Sequence, residues 1–273
     1  MKKFTVLLWL ALVFIPFSAA AAEPLRVVAG TSLISDIVAD LTEGKGEILT
    51  LIQGSSCPGH ENASTGEYVF AARAKLLLIH PFQRHLQQVV AMLEAVDNPS
   101  LAIVEISPRG SWLIPDIQKQ AVREIAAALE TAAPELAPVI RLRARQRLHT
   151  IDAIAAECRS ALAATRGLHV ISATMQAEFV RWAGFDVIRT FGRAEDVNAR
   201  GLAEILHAVK GSPVAGVVDN YQSGPDAGLP LALELGAPHV VLSNFPGSSD
   251  DAPDYFSLLR RNVAQLLSMQ VKP

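Results

Sequence analysis

The sequence predicts an α/β protein: two parallel-sheet lobes built from βα units and joined by one long rigid helix. Three observations predict it. Short apolar runs alternate with helical patterns in two groups. Most of those runs are continuous in Val, Ile, Leu and Ala, which is how strands read when helices cover both faces of a parallel sheet. Between the two groups lies a stretch with helical periodicity and no strand signal. The strand candidates of the first group are 25–30, 47–52, 75–80 and 101–106, and those of the second are 169–172, 185–191, 214–220 and 239–244. Helical segments fall between them at 34–42, 68–74, 82–96, 117–131, 175–183, 199–210 and 225–235, a rhythm that calls for right-handed βαβ crossovers.

From Pro138 to about Thr165 the apolar residues Leu148, Ile151, Ala155, Cys158 and Leu162 recur at spacings of 3 and 4, one face of a long helix. Cys158 on that stripe reads as core. Arg141, Arg143, Arg145 and Arg147 precede it and read as a solvated helix surface rather than a nucleic-acid patch. The division that follows is residues 1–22 as a signal peptide, 23–137 as an amino-terminal lobe, 138–165 as the linking helix and 166–273 as a carboxyl-terminal lobe. A rigid connecting helix favours tilting of the lobes over wide opening.

The amino terminus supports export. Lys2 and Lys3 precede an apolar run over residues 4–17, too short to span a bilayer comfortably, and then Ser18 and four alanines. Cleavage after Ala22 leaves no cysteine for a lipid anchor and takes the net charge from −3 to −5, by loss of the two lysines. The mature chain is expected to be soluble and periplasmic.

Composition narrows the function. The chain has 273 residues, half of them hydrophobic, and 24 Lys+Arg against 27 Asp+Glu. That excludes disorder and gives no support to nucleic-acid binding. Two cysteines are too few for a disulfide scaffold or a four-cysteine zinc module. The sequence carries neither a P-loop nor a G-x-G-x-x-G fingerprint, so nucleotide chemistry lacks support.

Ligands of open parallel sheets bind at the carboxyl ends of the strands, so the residues that follow each strand are the candidates. After the second strand stand Cys57, His60 and Glu61. A thiolate and an imidazole three residues apart can reach one soft or borderline cation, with Glu61 adding an oxygen or orienting the imidazole. The competing readings are a turn on Pro58-Gly59 with an incidental cysteine, and a Cys57–Cys158 disulfide in an oxidising compartment. His80 and Asp219 end strands and can face the cleft, while Met175 opens a helix and reads first as core filling. His85, His149 and His207 read as solvated, and His169 and His239 as structural.

This arrangement resembles the periplasmic solute-binding proteins of zinc and manganese ABC importers. The likeness is carried by Val27-Val28-Ala29-Gly30-Thr31 with Ile34 to Val38, by Ala72 to Leu77, and by Trp112-Leu113-Ile114-Pro115, which is similar to that family's W-L-D-P. Ala232 to Ala237, and Tyr255 with Asn262, add to it. The resemblance implies a receptor that performs no chemistry, acts as a monomer and delivers a divalent transition metal to a membrane permease. Zinc is the first expectation, with manganese or a softer ion as alternatives. It also implies four metal ligands, two per lobe. His60 matches the first. The other three positions carry Gly110, the Ala173-Thr174-Met175 stretch and, after Leu242, Ser243-Asn244. Cys57, His60, Asp219, His80, Glu61 and Met175 are therefore the candidate metal residues. Two other readings stay open: a metal chelate or small organic solute lined by Arg109, Trp112 and Tyr221, and a periplasmic cysteine-dependent enzyme using Cys57 with His60.

Overall fold

Eight parallel strands form where the continuous apolar runs predict them. A computed structural model describes residues 24–56 and 64–269 of the chain. The first sheet contains β1 (Arg26–Thr31), β2 (Glu47–Ile52), β3 (Leu76–Ile79) and β4 (Ala102–Glu105), in the order β2-β1-β3-β4. The second contains β5 (His169–Ala173), β6 (Asp186–Phe191), β7 (Gly216–Asn220) and β8 (His239–Leu242), in the order β6-β5-β7-β8. Both orders reverse beside the first strand of the sheet, which opens a crevice at the carboxyl edge. Central strands β1, β3 and β7 are almost wholly buried, whereas the edge strand β4 is largely exposed.

The helices are α1 (Ser32–Leu41), α2 (Thr65–Ala71), α3 (Gln87–Ala95), α4 (Pro115–Ala132), α5 (Ala137–Ala161), α6 (Ala177–Trp182), α7 (Ala199–Ala208), α8 (Leu229–Leu235) and α9 (Tyr255–Ser268). The segment expected as one helix over 82–96 divides into a 3-10 turn, Pro81–His85, and α3. Helix α9 was not read from the sequence. Its buried Tyr255, Leu258, Leu259, Asn262, Val263 and Leu266 recur at spacings of 3 and 1, and Asp254 caps it by accepting from the Ser257 N–H at 2.8 Å. Among the described residues no helix is long and apolar enough to cross a membrane.

The main core is continuous through both sheets. It runs from Val27 and Leu76 in the first sheet, through Ile125, Ile151 and Cys158 on α4 and α5, to Val170, Val218 and Leu259. Separate clusters cover the outer face of each sheet, one around Val28 and Leu77, the other around Ile171 and Val217. Cys158 is a buried free thiol, and burial pushes its pKa up to about 11.

One sequence expectation reverses here. Arg147 is not a surface residue: its side chain is 1% exposed. It donates to Asp36 at 2.5 Å and to Asp40 at 2.9 Å, both on α1, and lies over the Phe256 ring of α9 at 5.1 Å. Asp36 also accepts from the Tyr255 N–H at 3.3 Å, and Arg143 joins the cluster through Asp40. The apolar period of α5 continues around Arg147, but its position faces two carboxylates that sequence spacing alone does not reveal. Arg141, by contrast, pairs with Glu130 at the surface, as expected. Burial holds the Asp36 carboxyl above its usual range in spite of the adjacent guanidinium. Deleting the cation leaves both carboxylates desolvated, which costs about 3–5 kcal/mol. Arg147→Met is therefore expected to lower the urea unfolding free energy by about that amount; a loss below about 1 kcal/mol would show that water reaches the pair.

Candidate functional site

The carboxyl edges of the two sheets face each other across a cavity of about 670 Å3. From the first lobe it is lined by Leu33, by His80, Pro81 and Phe82 after β3, and by the loop 108–113 after β4. From the second it is lined by Thr174, Met175 and Glu178 after β5, by Arg193, by Asn220, Gln222 and Ser223 after β7, and by Asn244 and Phe245 after β8. Every contribution stands at or beyond the carboxyl end of a strand, including Leu33 on the first turn of α1 after β1 and Arg193 in the loop after β6.

The first wall is aromatic and rigid. His80 is buried, with its ring 4.1 Å from Trp112 and 5.4 Å from Phe82. Its Nε2 lies 2.9 Å from the Thr31 hydroxyl, which is thereby diverted from capping α1. Gln83 fixes the turn beneath it, donating to the Gly30 carbonyl at 2.7 Å and accepting from the His80 N–H at 3.0 Å. A Cβ at position 30 would fall 2.1 Å from the Gln83 side-chain oxygen, so the bare glycine is what lets Gln83 pack beneath His80. The Trp112 indole donates to the Pro108 carbonyl at 3.1 Å, and Tyr255 reaches from α9 to the Leu113 carbonyl at 3.2 Å.

The second wall is a network of amides. Gln176 donates to Asn220 at 2.9 Å and to Asn244 at 3.1 Å, and Asn244 donates to Asn220 at 3.0 Å. Asn220 in turn donates to Ser223 at 2.7 Å. Gln222 accepts from the Asn244 N–H and donates to Ser243 at 2.8 Å, and also to the Gly54 carbonyl of the opposite lobe at 2.8 Å. Ser32 adds a second tie across the cleft to the Pro246 carbonyl at 2.8 Å. Asn262 holds the strand end from behind through both backbone groups of Ser243.

The sequence candidates fare differently. His80 and Met175 line the cavity, and Met175 is 46% exposed, so core filling is not its role. Asp219 does not face the cleft. Its carboxylate accepts from the Gly228 N–H at 2.8 Å and pairs with His239 at 2.7 Å, while its neighbour Asn220 lines the opening. Strand alternation explains the exchange, since successive side chains point to opposite faces. Burial pushes the Asp219 carboxyl up from its usual range, against the opposing pull of His239. Cys57, His60 and Glu61 lie outside the described residues. Of the cleft residues expected for an organic cargo, Arg109 and Trp112 line the cavity, whereas Tyr221 lies outside its lining.

Gln176, Gln222, Glu178 and Arg193 were missed. Their signal was position just beyond the carboxyl end of a strand. Gly110 has φ +95°, and a Cβ there would come within 2.9 Å of Glu178 and of Ile117. A histidine at this position, which the resemblance assigns to metal binding, would strain the positive-φ backbone and displace the Glu178 and Ile117 side-chain ends. Among the described residues no three His, Cys, Asp or Glu side chains gather as a metal site.

Two α/β lobes, a helix between them and a cleft at facing strand ends define a solute-binding protein of the two-lobed class. The chain belongs to the family described as zinc-uptake complex component A, periplasmic, whose model matches residues 27–269. No curated protein is recognisably similar in sequence. Among solved structures, a periplasmic metal-binding protein from Candidatus Liberibacter asiaticus is 15% identical with a TM-score of 0.75, over 90% of this chain and 99% of that one. Its cadmium-bound form matches with the same identity and score, over 89% and 98%. The solute-binding protein FpvC from P. aeruginosa, in complex with Ni2+, is 14% identical with a TM-score of 0.75, over 90% and 97%. At such identities these structures show the shared fold. The family and fold together make this a periplasmic metal-binding solute-binding protein by kinship.

The state of His80 is open to measurement. Burial lowers its pKa from 6.5 to about 3, so the folded ring stays neutral while the unfolded one takes up a proton. A lowered base contributes stability above pH 6.5 that is lost as pH falls toward 3, at about 1.4 kcal/mol per pH unit between those limits. The His80 ring resonances are expected to stay constant from pH 8 to pH 5 in NMR titration; a midpoint between 6 and 7 would mean that the ring is solvated.

Proposed function

We propose that this protein captures a transition-metal cargo between its lobes in the periplasm and hands it to the permease of an ABC importer. The single observation that carries the reading is the cavity at the facing carboxyl edges, in a chain of this family. Its relatives by fold are described with manganese, cadmium and nickel, which places divalent transition ions within reach of the architecture. Zinc is the ion we expect first, because a thiolate and an imidazole suit a borderline cation.

Cys57 and His60 are the proposed ligands from the loop after β2, with Glu61 supporting the imidazole. Met175 offers a thioether from the second lobe and His80 a neutral imidazole in the wall, whereas Asp219 serves only from behind. The remaining division follows the same reading: residues 1–22 are a signal peptide removed after Ala22, 23–137 and 166–273 are the lobes, and 138–165 link them. The protein acts as a monomer, and binding and release are its whole task. The aromatic wall and the amide network hold the cleft in shape without supplying an activated nucleophile.

Equilibrium titration of the purified protein with zinc tests the site. Cys57→Ala and His60→Ala are each expected to weaken binding at least tenfold. Unchanged affinity in both variants would remove this loop from the metal site.

A further inference from the structure

Resting on the metal reading above, we propose that the cleft takes its metal as a complex with a small anionic organic chelator, and not as a bare ion. Three features of the cavity lead there. The first is size. About 670 Å3 falls within the ~300–1,000 Å3 range of small-molecule pockets. A dication with six waters, at about 30 Å3 each, would occupy roughly 180 Å3.

The second is charge. The described lining carries two guanidiniums, Arg109 and Arg193, against one carboxylate, Glu178. Glu178 is already occupied, accepting from the Ser111 N–H at 2.7 Å. Arg109 has no ion pair within the described residues, and Arg193 has only a loose one, 3.6 Å from Glu195 with a side chain 37% exposed. A bare dication meets net repulsion from such a lining, whereas carboxylates on a chelator meet two forked donors suited to them.

The third is surface character. Phe82, 52% exposed, and Trp112 each lie against His80 on one wall, and Met175, 46% exposed, stands on the other. Apolar groups left open inside a cleft suit the carbon skeleton of an organic ligand and give nothing to a hydrated ion. The chelator would fill most of the metal's coordination shell itself, so the protein need not supply a full set of ligands. Its outward carboxylates would bind the two arginines, and its backbone would lie against the aromatic wall.

Isothermal titration of the purified protein with zinc chloride, with citrate and with a 1:1 zinc–citrate complex tests this. Zinc–citrate is expected to bind at least tenfold tighter than zinc or citrate alone. The Arg109→Ala/Arg193→Ala double variant, altered at two exposed or half-buried positions and not in the core, is expected to lose at least tenfold for zinc–citrate, while its affinity for zinc does not fall. Equal affinity for zinc and zinc–citrate, or no effect of the double variant, would overturn the chelate and leave the metal reading standing. Binding of citrate as tight as that of zinc–citrate, or no binding of either zinc form, would overturn both.

Discussion

A single guanidinium anchors the relation between the lobes. Arg147 projects from the linking helix into a site closed by α1 on one side and the start of α9 on the other. There it binds two carboxylates and covers an aromatic ring. Charges removed from water this completely are tolerated only when paired, so the three helices can occupy one arrangement that satisfies all of them. The Tyr255 N–H completes the set through Asp36, and the Tyr255 hydroxyl carries the same helix on to Leu113 at the cleft. The cluster thus joins the helix packing to the loop that holds Trp112.

The cleft inherits that order. Its aromatic wall is fixed by Gln83 under His80 and by the Trp112 indole bond. Its amide wall is fixed by Gln176, Asn220, Asn244 and Asn262. Gln222 and Ser32 bridge the lobes with hydrogen bonds to backbone carbonyls of the opposite side. Gly54 permits the closest of these approaches, since a Cβ there would lie 2.1 Å from the Pro246 carbonyl. Among the described residues few hydrogen bonds cross the opening, so a modest tilt of one lobe breaks little of what is described, while the continuous core behind the cleft resists wide separation.

Family kinship and site chemistry pull in different directions. The fold is that of metal receptors, yet the described cleft offers amides, aromatics, a thioether and arginines where clustered acids and histidines would hold an ion directly. Gly110 shows the difference at one position: its positive-φ backbone disfavours the ligating side chain that the resemblance assigns there. On the reading proposed above, coordination comes from Cys57 and His60 or from the cargo itself.

How much was legible depends on the range of the interaction. The strands were readable because a strand covered on both faces must be apolar along its length, and the linking helix because its stripe repeats at spacings of 3 and 4. Helix α9 carried the same kind of signal in Leu258, Leu259, Val263 and Leu266 and could have been read. His80 was legible as a strand-end residue facing the opening. The local pattern could not say that Arg147 would be buried, that Asp219 would turn to His239 while Asn220 faced the cleft, or that Met175 would be exposed. The first two of those outcomes rest on partners 20 to more than 100 residues away. Periodicity along the chain alone determined the α/β architecture and the sheet edge at which the cleft opens. Which side chains meet there was decided by tertiary packing, because contacts across a cleft depend on which distant groups the fold brings within hydrogen-bonding reach.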